Sequence, residues 1–135
     1  MIMKLQELFE YGGGLYHCVH MSEEDLDVVK RHQISVITNP ASNLKLASGI
    51  APIEDMLKRN IDLAIGTDGP ASNNCLDMFR EMFLVTALAK YRENDASAVD
   101  AAEVLKMATT GGAKAMGLSD CDCLAVGKKA DLFLM

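Results

Sequence analysis

Short apolar, often β-branched blocks alternate along the chain with longer stretches in which apolar residues recur every three or four positions. The opening MIMKLQELFEYG sets Leu5, Leu8 and Phe9 on one face and reads as the end of an amphipathic helix, broken by Gly12-Gly13-Gly14. LYHCVH follows as a short strand. In MSEEDLDVVKRHQ, Ser22 is placed to cap a helix whose first turn holds Glu23, Glu24 and Asp25, where carboxylates suit the helix dipole. Met21 and Leu26 occupy the positions of a hydrophobic staple. ISVITN, Ile34 to Asn39, is a β-branched run stopped by Pro40 and predicts a second, buried strand.

PASNLKLASG then reads as a polar loop ending in glycine, and APIEDMLKRN as a helix with Pro52 near its start. IDLAIGT is the third strand. CLDMFREMFLVTALAKYRE predicts a long helix that is apolar on more than one side, hence one held between two layers. After NDAS comes a further helix, about Val99 to Met116, with Gly111-Gly112 loosening its last turns. GLSDCDCLAVGKKADLFLM supplies turns and a last strand, Asp131 to Met135. The order β-α-β-α-β-α-α-β predicts an α/β fold with a parallel sheet and right-handed crossovers, and no internal repeat beyond that alternation.

At 135 residues, half of them hydrophobic and 24% charged, the chain suits one globular domain with a real core. Thirteen basic against nineteen acidic residues give a net charge of -6, which argues against nucleic acid or an anionic membrane as partner. No apolar run approaches the roughly 20 residues of a membrane span, and the opening lacks the pattern of a signal peptide, so a cytoplasmic protein is expected. Cys18, Cys75, Cys121 and Cys123 include a CDC but no CxxC, and are read as reduced thiols.

Candidate chemistry gathers at the strand ends. The first strand carries His17, the second ends in Thr38-Asn39 and opens into Ser42-Asn43, and the third ends in Thr67-Asp68. In parallel α/β folds these ends face the ligand crevice, so His17, Asn39 and Asp68 are expected to converge. A carboxylate at the tip of a buried strand is costly unless a cation, a proton or good donors answer it. His17 with Asp68 suggests a metal site or an acid–base pair; the alternative is a hydrogen-bonded structural histidine and an N-capping aspartate. His20 and His32 read as solvated. The Gly69–Asn74 turn admits an anion-cradling reading, but it lacks the glycine fingerprints and Asp68 would repel a phosphate.

HCVHM, NPASNLKLASGIAP, GTDGPASNN and GKKADLFLM together resemble the C-terminal portion of amidohydrolase-superfamily deaminases. The group is that of the methylthioadenosine/S-adenosylhomocysteine deaminases with their triazine-hydrolase and guanine-deaminase relatives, and the resemblance runs from about Tyr16 to the end. It implies a metal-bearing (β/α)8 barrel, of which residues 1–118 would be about strands six to eight and residues 119–135 the start of the flanking β-domain. It implies that Asp68 binds a divalent metal, zinc rather than iron, and takes a proton from the attacking water. His17 would hydrogen-bond that water or the developing tetrahedral centre. Ser42 and Asn43 either line the substrate pocket or fix their loop through side-chain-to-backbone hydrogen bonds.

The implied activity is hydrolytic deamination of an adenosine-type or other aminopurine or heterocyclic substrate. The family's HxH pair does not occur in the chain, and His17 is followed three positions on by His20 rather than by glutamate. Only Asp68 therefore carries over as a ligand, and the chain alone is expected not to turn over. The alternatives are a non-catalytic half-barrel binding module or the structural remnant of a truncated gene. Three parallel strands would leave two open edges, so self-association or pairing with an upstream barrel fragment is expected.

Overall fold

The computed structural model describes residues 13–132. The helix expected within the first twelve residues lies outside them. Three short parallel strands, β1 (Gly14–Tyr16), β2 (Ser35–Thr38) and β3 (Leu63–Ile65), form one sheet in the order β1-β2-β3. Register aligns Leu15 with Val36 and Val36 with Leu63, and this row turns toward the helices. It joins Leu26 and Val29 from α1 (Glu23–Arg31), and Ile53 and Met56 from α3 (Ile53–Lys58). Val85 and Ala89 from α5 (Met78–Glu93), with Val104 and Met107 from α6 (Ala101–Ala108), complete the core. Val36 and Met56 at its centre have no accessible surface. The next row, Tyr16, Ile37 and Ala64, alternates to the other side of the sheet, where Tyr16 is 65% exposed.

α1 forms as its sequence predicts. The Ser22 hydroxyl accepts the Asp25 N–H while the Asp25 carboxylate accepts the Ser22 N–H, a reciprocal capping box. Asp77 and Asp100 cap α5 and α6 one way only, Asp77 accepting the Phe79 and Arg80 N–H groups and Asp100 that of Ala102.

Four expectations need correction. PASNLK is not loop but α2 (Pro40–Lys45), with proline at its first turn. Ser42 and Asn43 look like turn formers, yet they are buried there because their side chains have partners elsewhere in the fold. The first strand stops at Tyr16, since His17 (φ 67°) and Cys18 (φ 46°) turn the backbone left-handed. The expected Val99–Met116 helix is two, α6 and α7 (Thr110–Ala115), and the break falls at Thr109 (φ -122°, ψ -92°) rather than at the glycines. Finally, α5 is not held between layers among the described residues, for Phe83 and Tyr91 are 70% and 80% exposed.

Asp131 and Leu132 carry no regular structure, and the rest of the expected last strand lies outside the described residues. All four cysteines are free, as expected. Among the described residues no helix is long and apolar enough to cross a membrane.

Candidate active site

His17 and Asp68 do converge. His17 leaves the end of β1 with its N–H still donating to the Ile37 carbonyl, 2.9 Å away, so the sheet fixes its backbone before the chain turns. Asp68 lies three residues beyond β3, past Gly66, whose N–H donates to the Thr38 carbonyl at 2.9 Å. Both residues have left-handed backbones, φ 67° and 58°, and His17 Nε2 stands 3.8 Å from Asp68 Oδ2. The side chains are 40% and 34% exposed, so the pair faces open space at the carboxyl ends of the strands.

The adjacent residues of α2 hold the pair. His17 Nδ1 lies 2.7 Å from the Asn43 side-chain oxygen. An amide oxygen only accepts, so Nδ1 donates to it, and Nε2 is the ring nitrogen turned toward Asp68 and the open side. The Ser42 hydroxyl donates to Asp68 Oδ2 at 2.6 Å, and the Gly69 N–H donates to Oδ1 at 2.8 Å. The Ser42 bond first, then Gly69, the Ser72 hydroxyl and the nearby His17, hold the Asp68 carboxyl below the usual carboxylate range. Asp68 is therefore an ionised acceptor at neutral pH. Ser42 and Asn43 are 1% and 3% exposed, so the structure places them behind the pair and orienting it. Asn39 is also buried, but it packs against Gly66 and its amide reaches only the Ile37 carbonyl, at 3.5 Å. It does not join the pair.

A repeat escaped the sequence reading. Pro-Ala-Ser-Asn occurs at 40–43 and again at 70–73, each time just after a strand, and each copy forms a helical turn, α2 and α4 (Pro70–Asn73). The two turns pack against each other, with Lys45 Nζ donating across to the Ala71 carbonyl and the Asn74 side chain. Behind them lies Glu81, which nothing in the sequence singled out. It has no accessible surface, and it accepts the Ala41 N–H at 3.0 Å and the Asn73 side-chain N–H at 2.8 Å.

Among the described residues, no three His, Cys, Asp or Glu side chains are grouped to hold an ion. The donor set suits one metal ligand, Asp68, whose two oxygens have lone pairs to spare beyond their present hydrogen bonds. It does not make a complete site, which takes three or four protein ligands.

Comparison with known proteins bears out the resemblance seen in the motifs. The sequence pattern of the amidohydrolase family matches residues 3–135. A 5-methylthioadenosine/S-adenosylhomocysteine deaminase from Caldanaerobacter subterraneus subsp. tengcongensis is 49% identical over 129 residues, 95% of this chain and 30% of that protein. The crystal structure of an adenosine deaminase from Xanthomonas campestris with bound zinc superposes with a TM-score of 0.84 at 45% identity, over 87% of this chain and 27% of the other. An atrazine chlorohydrolase from Arthrobacter aurescens TC1, complexed with zinc, gives a TM-score of 0.80 at 29% identity, over 87% and 26%. The chain thus spans about 30% of the length of the curated relatives it matches.

Proposed function

The chain belongs to the amidohydrolase family, and on that premise we propose that it carries the proton-handling part of a metal-dependent deaminase site. In the complete enzyme this site removes the amino group of an adenosine-type substrate by hydrolysis. The observation that carries the reading is the meeting of His17 and Asp68 at the strand ends, each held by a buried neighbour on α2. The substrate class rests on the deaminases this chain is similar to. The fold reading is that residues 1–118 are about units six to eight of a (β/α)8 barrel and residues 119–135 begin a flanking β-domain. It is supported by the parallel order β1-β2-β3 and by a site at the carboxyl ends.

Asp68 would supply one ligand to a divalent metal, zinc ahead of iron because the structural relatives hold zinc. The remaining ligands come from parts of the enzyme beyond this chain. Such an ion, when bound, lowers the pKa of water toward neutrality. The Asp68 carboxylate, kept ionised by Ser42 and Gly69, accepts the proton that water loses as its oxygen attacks the amino-bearing carbon. It then returns that proton to the departing amine, so that ammonia leaves and the substrate keeps the water's oxygen. His17 Nε2, its ring fixed through Nδ1 by Asn43, orients the water beside the carboxylate. Ser42 and Asn43 set the angles of the two groups and do not touch the substrate.

By itself the chain does not turn over. Tyr16, Leu76 and Phe83, 65%, 60% and 70% exposed, mark apolar surface that an upstream barrel fragment or a second copy would cover. Native mass spectrometry with added zinc, run beside an ammonia-release assay on adenosine analogues, tests the reading. The chain alone is expected to hold no zinc stoichiometrically and release no ammonia, and to gain both when the upstream barrel segment is supplied. A chain that deaminates alone would refute the dependence on missing ligands. A reconstituted barrel that binds zinc and leaves every aminopurine untouched would refute the deaminase assignment.

A further inference from the structure

Glu81 is the one buried carboxylate among the described residues that the mechanism leaves unused. Burying a charge is costly unless every lone pair that loses water gains a donor. Here both oxygens have one: Oε2 takes the Ala41 N–H, from the first Pro-Ala-Ser-Asn turn, and Oε1 takes the Asn73 side-chain N–H, from the second. The Asn73 amide nitrogen also donates to the Thr67 carbonyl at 2.5 Å, the residue before Asp68. On the far side of the same two turns, the Ser42 hydroxyl meets Asp68. The carboxylate therefore bridges the turn that carries Ser42 and the turn that directly follows Asp68. Both its partners are donors, so only a group that accepts at both ends can join them; glutamine would present an NH2 to one.

We propose that Glu81 is a positioning residue, whose carboxylate clamps the two turns together and thereby sets Ser42 against Asp68. The proposal rests on reading Asp68 as the proton-handling group, but it concerns a geometry that exists without metal or substrate. Lys45 spans the same turns from the solvent side, where its bonds are screened by water, so the clamp against slippage is the buried one.

The test is NMR on the isotopically labelled 135-residue chain at neutral pH with no metal or substrate, comparing wild type with Glu81→Gln. Amide hydrogens of Ala41, Asn43 and Asn73 are expected to exchange about tenfold faster in the variant, while that of Val36 at the sheet centre changes less than about threefold. The Asp68 side-chain carboxyl 13C resonance is expected to move, as the Ser42 hydroxyl withdraws. Asn73→Ala, which cuts the other arm, is expected to move the same resonance and also serves if Glu81→Gln does not fold. An Asp68 resonance that stays put in the folded variants overturns the proposal. So does exchange accelerated equally at Val36 and at the turns, or loss of the fold in both variants, because the carboxylate would then support the whole domain. Neither readout involves turnover, so a failed deaminase assay leaves the clamp standing, and a static Asp68 resonance removes the clamp without touching the deaminase reading.

Discussion

Gly111 and Gly112 are neighbours in α7, and alanine at the two positions should have opposite effects. A Cβ on Gly111 would lie inside 3.0 Å of the Leu63 carbonyl oxygen, 3.4 Å from its carbonyl carbon and 3.1 Å from the Lys106 carbonyl oxygen. These are backbone atoms of β3 and α6, which cannot rotate aside as a side chain can. Either α7 backs away from the strand or the strand tilts, and overpacking of this kind costs about 1–3 kcal/mol. The helix propensity of alanine returns roughly 0.5–1 kcal/mol. A Cβ on Gly112 meets nothing within 4 Å, so there the propensity gain stands alone. Gly111→Ala should therefore be destabilised by up to about 2.5 kcal/mol net and Gly112→Ala stabilised by about 0.5–1 kcal/mol. At about 4 °C per kcal/mol for a chain of this size, the two melting temperatures should differ by roughly 2–14 °C, Gly111→Ala the lower. Urea titration and thermal melts followed by circular dichroism in one buffer would measure both. Equal stabilities, or a Gly111→Ala protein more stable than wild type, would mean that α7 does not press on Leu63. The point bears on function because β3 leads directly to Asp68.

Three further outcomes follow from the same geometry. Ser22→Ala removes one half of the α1 capping box and should cost about 1 kcal/mol in urea titration; an unchanged midpoint would mean the box is not formed in solution. The carboxyls of Asp25, Asp68, Asp95 and Asp122 are all held below their usual range, chiefly by Ser22, Ser42, Ser97 and Lys128 respectively. Their contribution is complete above the unfolded value of about 3.9 and is lost as pH falls through the lower folded values. Stability should thus be level in this respect above about pH 5 and decline below about pH 4, and a flat profile between pH 4 and 2 would contradict it. In a reconstituted barrel, His17→Ala and Asp68→Ala should each lower kcat by about 10²–10⁴-fold; a variant within tenfold of the parent takes that residue out of the mechanism.

What the sequence made legible was local. The α1 cap was readable because Ser22, its acidic first turn and Met21 with Leu26 all lie within five residues of one another. The alternation of strand and helix, and hence the sharing of one crevice by His17 and Asp68, followed from patterning. The α2 turn was misread because proline, serine and asparagine favour loops unless something distant satisfies their side chains, and here Asp68 and His17 do so from 26 residues away. Glu81 was hidden for the same reason. On a helix whose apolar residues run round several sides, one glutamate looks like part of a solvated face, and only the packing of α5 under both turns shows that it is buried. The doubled Pro-Ala-Ser-Asn was in plain view, and it carried meaning once each copy was seen to follow a strand.

The backbone at the site bears on whether the chain is a mere remnant of packing. Several left-handed residues, such as Asn60, Asn74 and Asn94, close turns or helix ends, where asparagine adopts that conformation at little cost. His17, Cys18 and Asp68 adopt it just beyond β1 and β3, as Gln33, Ala47 and Val99 do elsewhere, and a side chain there costs on the order of 1 kcal/mol, less for aspartate and histidine, which favour the region. Packing does not compensate it for His17 and Asp68, whose side chains remain 40% and 34% exposed. What the turns accomplish is orientation. Had the strands continued extended, successive side chains would have alternated between the two faces of the sheet. Instead the chain folds back so that His17 reaches Asn43 and Asp68 reaches Ser42 and Gly69. The strain and the hydrogen bonds therefore depend on each other, and what they jointly fix is the direction of two chemically competent groups toward open space.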